Sequence, residues 1–375
     1  MSKLNHMKFM RRALELAQKG IGYVSPNPMV GAVIVRNGNI ISEGWHTAYG
    51  KPHAEIEALE NLKSSNEIIK NEDIMYVTLE PCNHYGKTPP CTEAIVNAGI
   101  KNVVIAMLDP NPLVSGKGVK RLEESGVTVE FGTLEKEAEK LNRVFIKHMK
   151  TGMPYCATKW AMTLDGKMAT DMGDSQWISG EGSRTLVHKW RSESDAVLIG
   201  SGTAIKDNPM LNVRMVEGEN PYRVVVDSQG KLPLNSKLVK CNDPEKTVIA
   251  TTAKAEFSWI KELRTLGIEV VILPEKETHV DLVELFKYLA KRGIVSIFSE
   301  CGPIMQGALM REGLIDHIAA FISPQIVGGQ VNSPFASLNN SLMEDAVKLD
   351  SVRFETVGDD ILVEANVRRS TCLQG

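Results

Sequence analysis

Two stretches, PHAEIEALENL (residues 52–62) and MYVTLEPCNHYGKTPPCTEAIVNAG (residues 75–99), decide how the first half of this chain folds. The former opens a helix at His53. The latter is a strand ending at Leu79, then a loop, then a helix that Cys91 opens and Gly99 closes. Buried strands alternating with helices make an α/β layer architecture. The same reading puts His53, Cys82 and Cys91 at three element ends, where they can meet. One histidine and two cysteines give three zinc ligands and leave the fourth tetrahedral position to water, as a hydrolytic centre requires. Helix N-termini carry partial positive charge, which favours the metal-binding thiolate. Glu55 is too close in sequence to His53 to be an obvious co-ligand on one helix face. From the first helical turn it can still reach a water at the metal and shuttle its proton.

H-x-E followed by P-C is the order found in zinc deaminases, where two residues separate the cysteines. Here eight residues do so. Three readings follow. The set His53, Cys82 and Cys91 with Glu55 is a deaminase centre. Alternatively His84 replaces His53 as third ligand, which leaves His53 and Glu55 without a shared purpose. Or His84 closes a four-ligand structural site in a non-catalytic binding protein.

Outward from these stretches the alternation continues. A helix is expected over 7–19, stopped by Gly20, and a buried strand over 30–35 that turns at Asn37-Gly38 into Ile40 and Ile41. A strand at 103–107, a helix at 118–124 and a strand at 127–131 follow, and then one charged helix over 134–150. Thr151-Gly152-Met153-Pro154 marks a boundary, giving domains 1–150 and 151–375. The second half restarts with strands at 155–162, 196–199, 223–226, 247–250, 270–273, 294–298 and 318–322. It ends in a hairpin, 352–357 to 361–367, turned by Gly358-Asp359-Asp360.

Composition narrows the function classes. A formal net charge of -3 with mixed signs offers no basic stripe, which argues against nucleic acid. No apolar run is long enough to span a membrane, and the first residues lack the apolar core of a signal peptide. Six scattered cysteines do not make a disulfide framework in 375 residues, so the closest pair reads as metal-binding. A cytoplasmic, homo-oligomeric enzyme acting on a small molecule is expected. A nucleoside or nucleic-acid deaminase with an unrelated extension is the enzymatic rival; such enzymes often use the short cysteine spacing, and those acting on polymers carry basic surfaces.

At these residues the chain resembles the bifunctional riboflavin-biosynthesis deaminase/reductase family. Pro26-Asn27-Pro28, Val30-Gly31, Gly44-Trp45-His46, His53-Ala54-Glu55, the loop from Pro81 to Cys91 and Asp109-Pro110-Asn111-Pro112 resemble its deaminase half. The eight-residue spacer is that family's own variant. Lys159, Thr163-Leu164-Asp165-Gly166-Lys167, residues 174–179 and 195–214, Arg223 to Asp227, Glu300-Cys301-Gly302-Pro303 and Pro324 to Gly329 are similar to its reductase half. The resemblance implies a cytidine-deaminase-like domain followed by a dihydrofolate-reductase-like domain, with Zn2+ and NADPH as cofactors and a phosphorylated aminopyrimidine as substrate. By motif position it implies Glu55 as the catalytic residue and His53, Cys82 and Cys91 as metal ligands. Ser175, Arg191, Leu211, Arg214 and Glu300 would contact substrate, with Lys159 assisting there. Ala161, Trp177, Thr203, Asp207, Ser228 and Gly302 would lie along NADPH. One departure stands out: Cys301 replaces the family's usual glycine, and a side chain at a loop approaching the cofactor is expected to crowd it.

Without the resemblance, the second half says less. It has no G-x-G-x-x-G after a strand. Gly200-Ser201-Gly202-Thr203 after a strand is either a phosphate-approaching loop or an ordinary turn. Arg191 and Arg214 suit a phosphorylated ligand because arginine offers a planar fork to phosphate oxygens.

Overall fold

The computed structural model describes residues 3–85, 89–329, 333–338 and 340–368. Gly86, Lys87 and Thr88 of the inter-cysteine loop lie outside the described residues. The chain divides into two compact units between Gly152 and Met153.

In the first unit, α1 (Lys3–Gln18), β1 (Gly31–Arg36), β2 (Asn39–Trp45), α2 (Ala54–Ser64), β3 (Ile74–Leu79), α3 (Cys91–Ala98), β4 (Asn102–Met107), α4 (Lys117–Glu124), β5 (Thr128–Phe131), α5 (Glu135–Leu141) and α6 (Arg143–Thr151) follow in order. The five-stranded sheet runs β2-β1-β3-β4-β5. The strand β1 is antiparallel to both neighbours, while β3, β4 and β5 are parallel. Asn37 and Gly38 both take positive φ (49° and 81°), the turn geometry whose twist matches a two-residue hairpin. Ala32 to Val35, Met75 to Val77 and Ile105 to Ala106 are fully buried, as strands covered on both faces must be.

Helix α2 lies directly on β2 at Gly44. A Cβ there would sit 2.4 Å from the Ala58 nitrogen and 2.5 Å from the Ala54 oxygen, so only glycine lets the two backbones approach. The expected continuous helix over 134–150 is instead two helices broken at Asn142. The buried Asn142 amide accepts the Met29 N–H (2.8 Å) and donates to the Met29 carbonyl (2.9 Å), a long-range grip that local charge patterning does not reveal.

The second unit contains β6 (Tyr155–Thr163), α7 (Glu181–Ser192), β7 (Ala196–Gly200), α8 (Ser201–Asp207), β8 (Tyr222–Val226), β9 (Thr247–Thr251), α9 (Phe257–Thr265), β10 (Glu269–Ile272), β11 (Glu275–Lys276), β12 (His279–Val280), α10 (Leu282–Lys291), β13 (Ser296–Ser299), α11 (Pro303–Arg311), β14 (His317–Ser323), β15 (Leu349–Val357) and β16 (Asp360–Val367). Nine strands form one sheet, β10-β9-β8-β7-β13-β6-β14-β16-β15. It is parallel from β10 through β14, and the final hairpin adds antiparallel strands at one edge. Alternate side chains of β7 feed two cores: Ala196 and Leu198 join one, Val197 and Ile199 the other. Gly200 is not in a turn; it caps α8, so the Gly200-Ser201-Gly202-Thr203 segment is a strand-to-helix junction.

Gly44→Ala should destabilise the first unit by ~1–3 kcal/mol, because the clash is with backbone atoms that cannot rotate away. A lower melting temperature of the first unit's transition checks this; an unchanged transition contradicts the backbone-on-backbone contact.

Candidate active sites

His53 caps α2 in extended conformation, Cys82 lies beyond β3 after Glu80 and Pro81, and Cys91 is the first residue of α3. Their ligand atoms lie within 4.8 Å of one another. His53 Nδ1 is 3.3 Å from Cys91 Sγ and 3.6 Å from Cys82 Sγ, and the Cys91 main-chain N–H points at Cys82 Sγ at 3.3 Å. Hydrogen bonding from Cys91 pulls the Cys82 thiol well below its ordinary range, and the Cys91 thiol is pushed up in turn, by its bond to Cys82 and by burial. The two sulfurs therefore favour one thiolate between them. A second thiolate beside a buried carboxylate needs a cation, and an imidazole with two sulfurs is a donor set that suits zinc.

Glu55 sits in the first turn of α2, 3% exposed. Burial, with the Cys82 charge adding to it, pushes its carboxyl up to about 7. The Cys82 and His53 charges both act on its carboxyl, which therefore lies beside the ligand cluster. His84 does not belong to this cluster.

Two supports of the site were given no role by the sequence, although His46 and Asn27 stand in motifs that carry the resemblance. His46 stacks edge-on to His53 with centroids 5.6 Å apart. Its Nδ1 donates to the Pro52 carbonyl (2.9 Å), which leaves Nε2 to accept from the Asn27 amide (3.2 Å). Glu80 is buried and accepts four main-chain N–H groups, from Asp109, Gly116, Gly118 and Val119, at 2.8–3.2 Å. That ties the Asp109-Pro110-Asn111-Pro112 loop to the backbone that carries Cys82.

In the second unit a cavity of about 690 Å³ opens at the carboxyl ends of β7, β8 and β13, the usual ligand crevice of an α/β sheet. Thr203, Asp207, Ser228 and Gly302, expected along a cofactor, all line it, as does Ser175, expected on the substrate side. Ala161 and Trp177 are not among its lining residues. Trp177 is 65% exposed and lies under the Arg184 guanidinium, 4.7 Å from its ring centre. The first turn of α11 (Pro303, Ile304) borders the cavity after Gly302, and no side chain caps that helix. Proline at its first position carries no N–H, and the N–H groups of the next positions are suited to an anion.

Cys301 does not crowd this space, contrary to expectation. It is buried in the core and its thiol donates to the Leu198 carbonyl (3.3 Å), so it points away from the cavity that Gly302 borders.

A polar cluster forms around Glu300, just beyond β13. Arg191 grips the Glu300 carboxylate with both arms of its fork, at 2.6 and 3.0 Å. The fork expected to face phosphate is thus committed to a carboxylate. Burial works against the Glu300 charge, and Arg191 with Lys159 more than offsets it, holding the carboxyl below its ordinary range. Burial lowers Lys159 despite Glu300 nearby. Leu211 is buried in the core at positive φ (52°), and Arg214 is exposed, bonded through Nη1 to Asn212 Oδ1 (3.1 Å).

These two sites define a zinc-binding nucleobase deaminase unit joined to a reductase unit. Residues 3–107 match the cytidine and deoxycytidylate deaminase zinc-binding region, and residues 154–363 match the RibD C-terminal domain. The riboflavin biosynthesis protein RibD of Aquifex aeolicus is 41% identical over 356 residues, covering 95% of this chain and 96% of that one. A solved RibD structure from Acinetobacter baumannii is 36% identical with a TM-score of 0.87, covering 98% of this chain and 100% of that one. A diaminohydroxyphosphoribosylaminopyrimidine deaminase/5-amino-6-(5-phosphoribosylamino)uracil reductase from Thermotoga maritima is 37% identical with a TM-score of 0.86, covering 98% and 99%. The chain belongs to the RibD family, the bifunctional deaminase/reductases of riboflavin biosynthesis.

Purified protein should carry about one zinc per chain. Cys82→Ala should strip it and His84→Ala should keep it, as read by metal analysis; loss of zinc in the His84 variant would make His84 a ligand.

Proposed function

We propose that the first unit hydrolyses the 2-amino group of 2,5-diamino-6-(ribosylamino)-4(3H)-pyrimidinone 5'-phosphate, and that the second unit then reduces the ribosyl side chain to ribityl with NADPH. The observation that carries the first half is the meeting of His53, Cys82 and Cys91 beside the buried Glu55. His53, Cys82 and Cys91 would hold the zinc, which would supply a water of lowered pKa. Glu55 would carry one proton of that water to a ring nitrogen and then the remaining hydroxyl proton of the adduct to the departing amine, so that an amidine and water become a carbonyl and ammonia. A carboxyl pushed up to about 7 by burial is matched to that two-way traffic near neutral pH. The His46 and Glu80 contacts hold the walls of the site while this happens.

For the second half, NADPH supplies the hydride, and the acceptor is the electrophilic C1' of the ring-opened sugar. In this reading Thr203, Asp207, Ser228 and Gly302 lie along the cofactor in the cavity they line, with Ala161 and Trp177 meeting it outside that lining; Ser175, Arg214 and Glu300 face the substrate, and Arg191 and Leu211 support them from behind. Arg191 holds Glu300 ionised and oriented, and Arg214 meets the phosphate. Lys159 and Glu300 hold sugar hydroxyls or move the proton that accompanies the hydride. The protein's contribution is alignment of donor and acceptor carbons.

Glu55→Gln should keep its zinc and lose ammonia release by about 100- to 10,000-fold. NADPH oxidation on deaminated substrate should be unchanged in the same preparation. Undiminished ammonia release would remove Glu55 from the mechanism, and no release from zinc-replete wild type would remove the substrate.

A further inference from the structure

Helix α7 turns one face toward the polar cluster, and two residues a single turn apart, His188 and Arg191, both reach the chain segment that follows α8. Arg191 Nη1 donates to the Asn212 carbonyl (3.2 Å) while its fork holds Glu300. The Arg214 main-chain N–H donates to His188 Nδ1 (3.3 Å), and the Val213 N–H donates to Asn220 Oδ1 (2.9 Å). The segment lies in neither helix nor strand, and Asn208 and Leu211 sit at positive φ (41° and 52°). A leucine keeps that conformation only where surrounding contacts hold it. Core packing holds Leu211 itself, and His188, Arg191 and Asn220 fasten the three residues that follow it.

We propose that His188 is a positioning residue of the reductase site, locking residues 211–214 onto α7 so that the Arg214 guanidinium is presented to the phosphate of a phosphorylated sugar substrate. This rests on the phosphorylated-substrate reading given above. The charge arrangement supports it. Arg191 is neutralised by Glu300, whereas Arg214 is exposed and, among the described residues, has no carboxylate within 4.0 Å. Arg214 is therefore the cation left for an incoming dianion, and its backbone is what His188 holds.

The imidazole is suited to the task. It is 3% exposed, and burial together with the flanking Arg191 and Arg214 lowers it to about 4. The ring is therefore neutral at working pH, with the Nδ1 lone pair accepting and the proton on Nε2. A leucine would fill the same space but leave the Arg214 N–H without its acceptor.

The test is steady-state kinetics of the full-length, zinc-loaded protein on deaminated phosphoribosylaminouracil and NADPH. His188→Leu should raise KM for the phosphorylated substrate about 5- to 100-fold, with KM for NADPH and the deaminase rate unchanged. His188→Asn, whose Oδ1 can stand in for Nδ1 as acceptor, should recover most of the loss; His188→Ala serves if the leucine variant does not fold. Arg214→Ala is the reference. If it raises KM and His188→Leu does not, the positioning role is overturned while the phosphate reading stands. If Arg214→Ala leaves KM unchanged, the phosphate reading fails and the proposal with it. A loss shared equally between the two substrates, or no recovery in His188→Asn, also overturns the proposal.

Discussion

Bringing an imidazole and two sulfurs from three element ends to within 4.8 Å of one another is the demand around which the first unit is arranged. Such a cluster repels itself once ionised, and the buried Glu55 adds to the cost unless a divalent cation is taken up. The scaffold must therefore hold the ends rigidly. Gly44 lets α2 rest on β2 without intervening side chains, which fixes the height of His53 and Glu55 above the sheet. Glu80 fastens the loop beyond β4 to the strand end that leads to Cys82. Cys91, as the first residue of α3, donates its main-chain N–H to Cys82 Sγ, which favours the thiolate at Cys82.

The second unit solves a different problem. On the proposed reading its chemistry needs a cofactor and a substrate side by side, and two separate features of the unit would support them. One is a large cavity with a glycine-bordered helix start. The other is a charged cluster in which Arg191 and Glu300 stabilise each other beside Lys159. Glu300 and Gly302 stand two residues apart after β13, so a single strand end serves both supports. Cys301 between them turns inward to the core, so its side chain stays out of the cavity that Gly302 borders.

Much of this was legible in the residues. The strand and helix order around His53, Cys82 and Cys91 follows from period and turn chemistry, and Gly99 closes α3 at positive φ (88°) as its place after the last helical residue implies. The features that escaped depend on partners far away in the chain. Asn142 breaks a helix to hold Met29, 113 residues earlier. Glu80 looks like an ordinary residue before Pro81 until the loop from Asp109 to Val119 folds over it. Arg191 reads as a phosphate ligand until β13 delivers Glu300, and His188 reads as one more helical residue until the segment ending at Arg214 reaches it. Side-chain direction was the other gap: the Cys301 substitution was visible, but not which way it points.

X-ray absorption at the zinc edge of the purified protein is the measurement that bears most directly on an open, hydrolytic metal centre. The account predicts two sulfur scatterers at ~2.3 Å, one imidazole and one light atom that is not imidazole. A second imidazole, or a fourth protein ligand of any kind, would describe a closed structural site and contradict a deaminase built on His53, Cys82, Cys91 and Glu55.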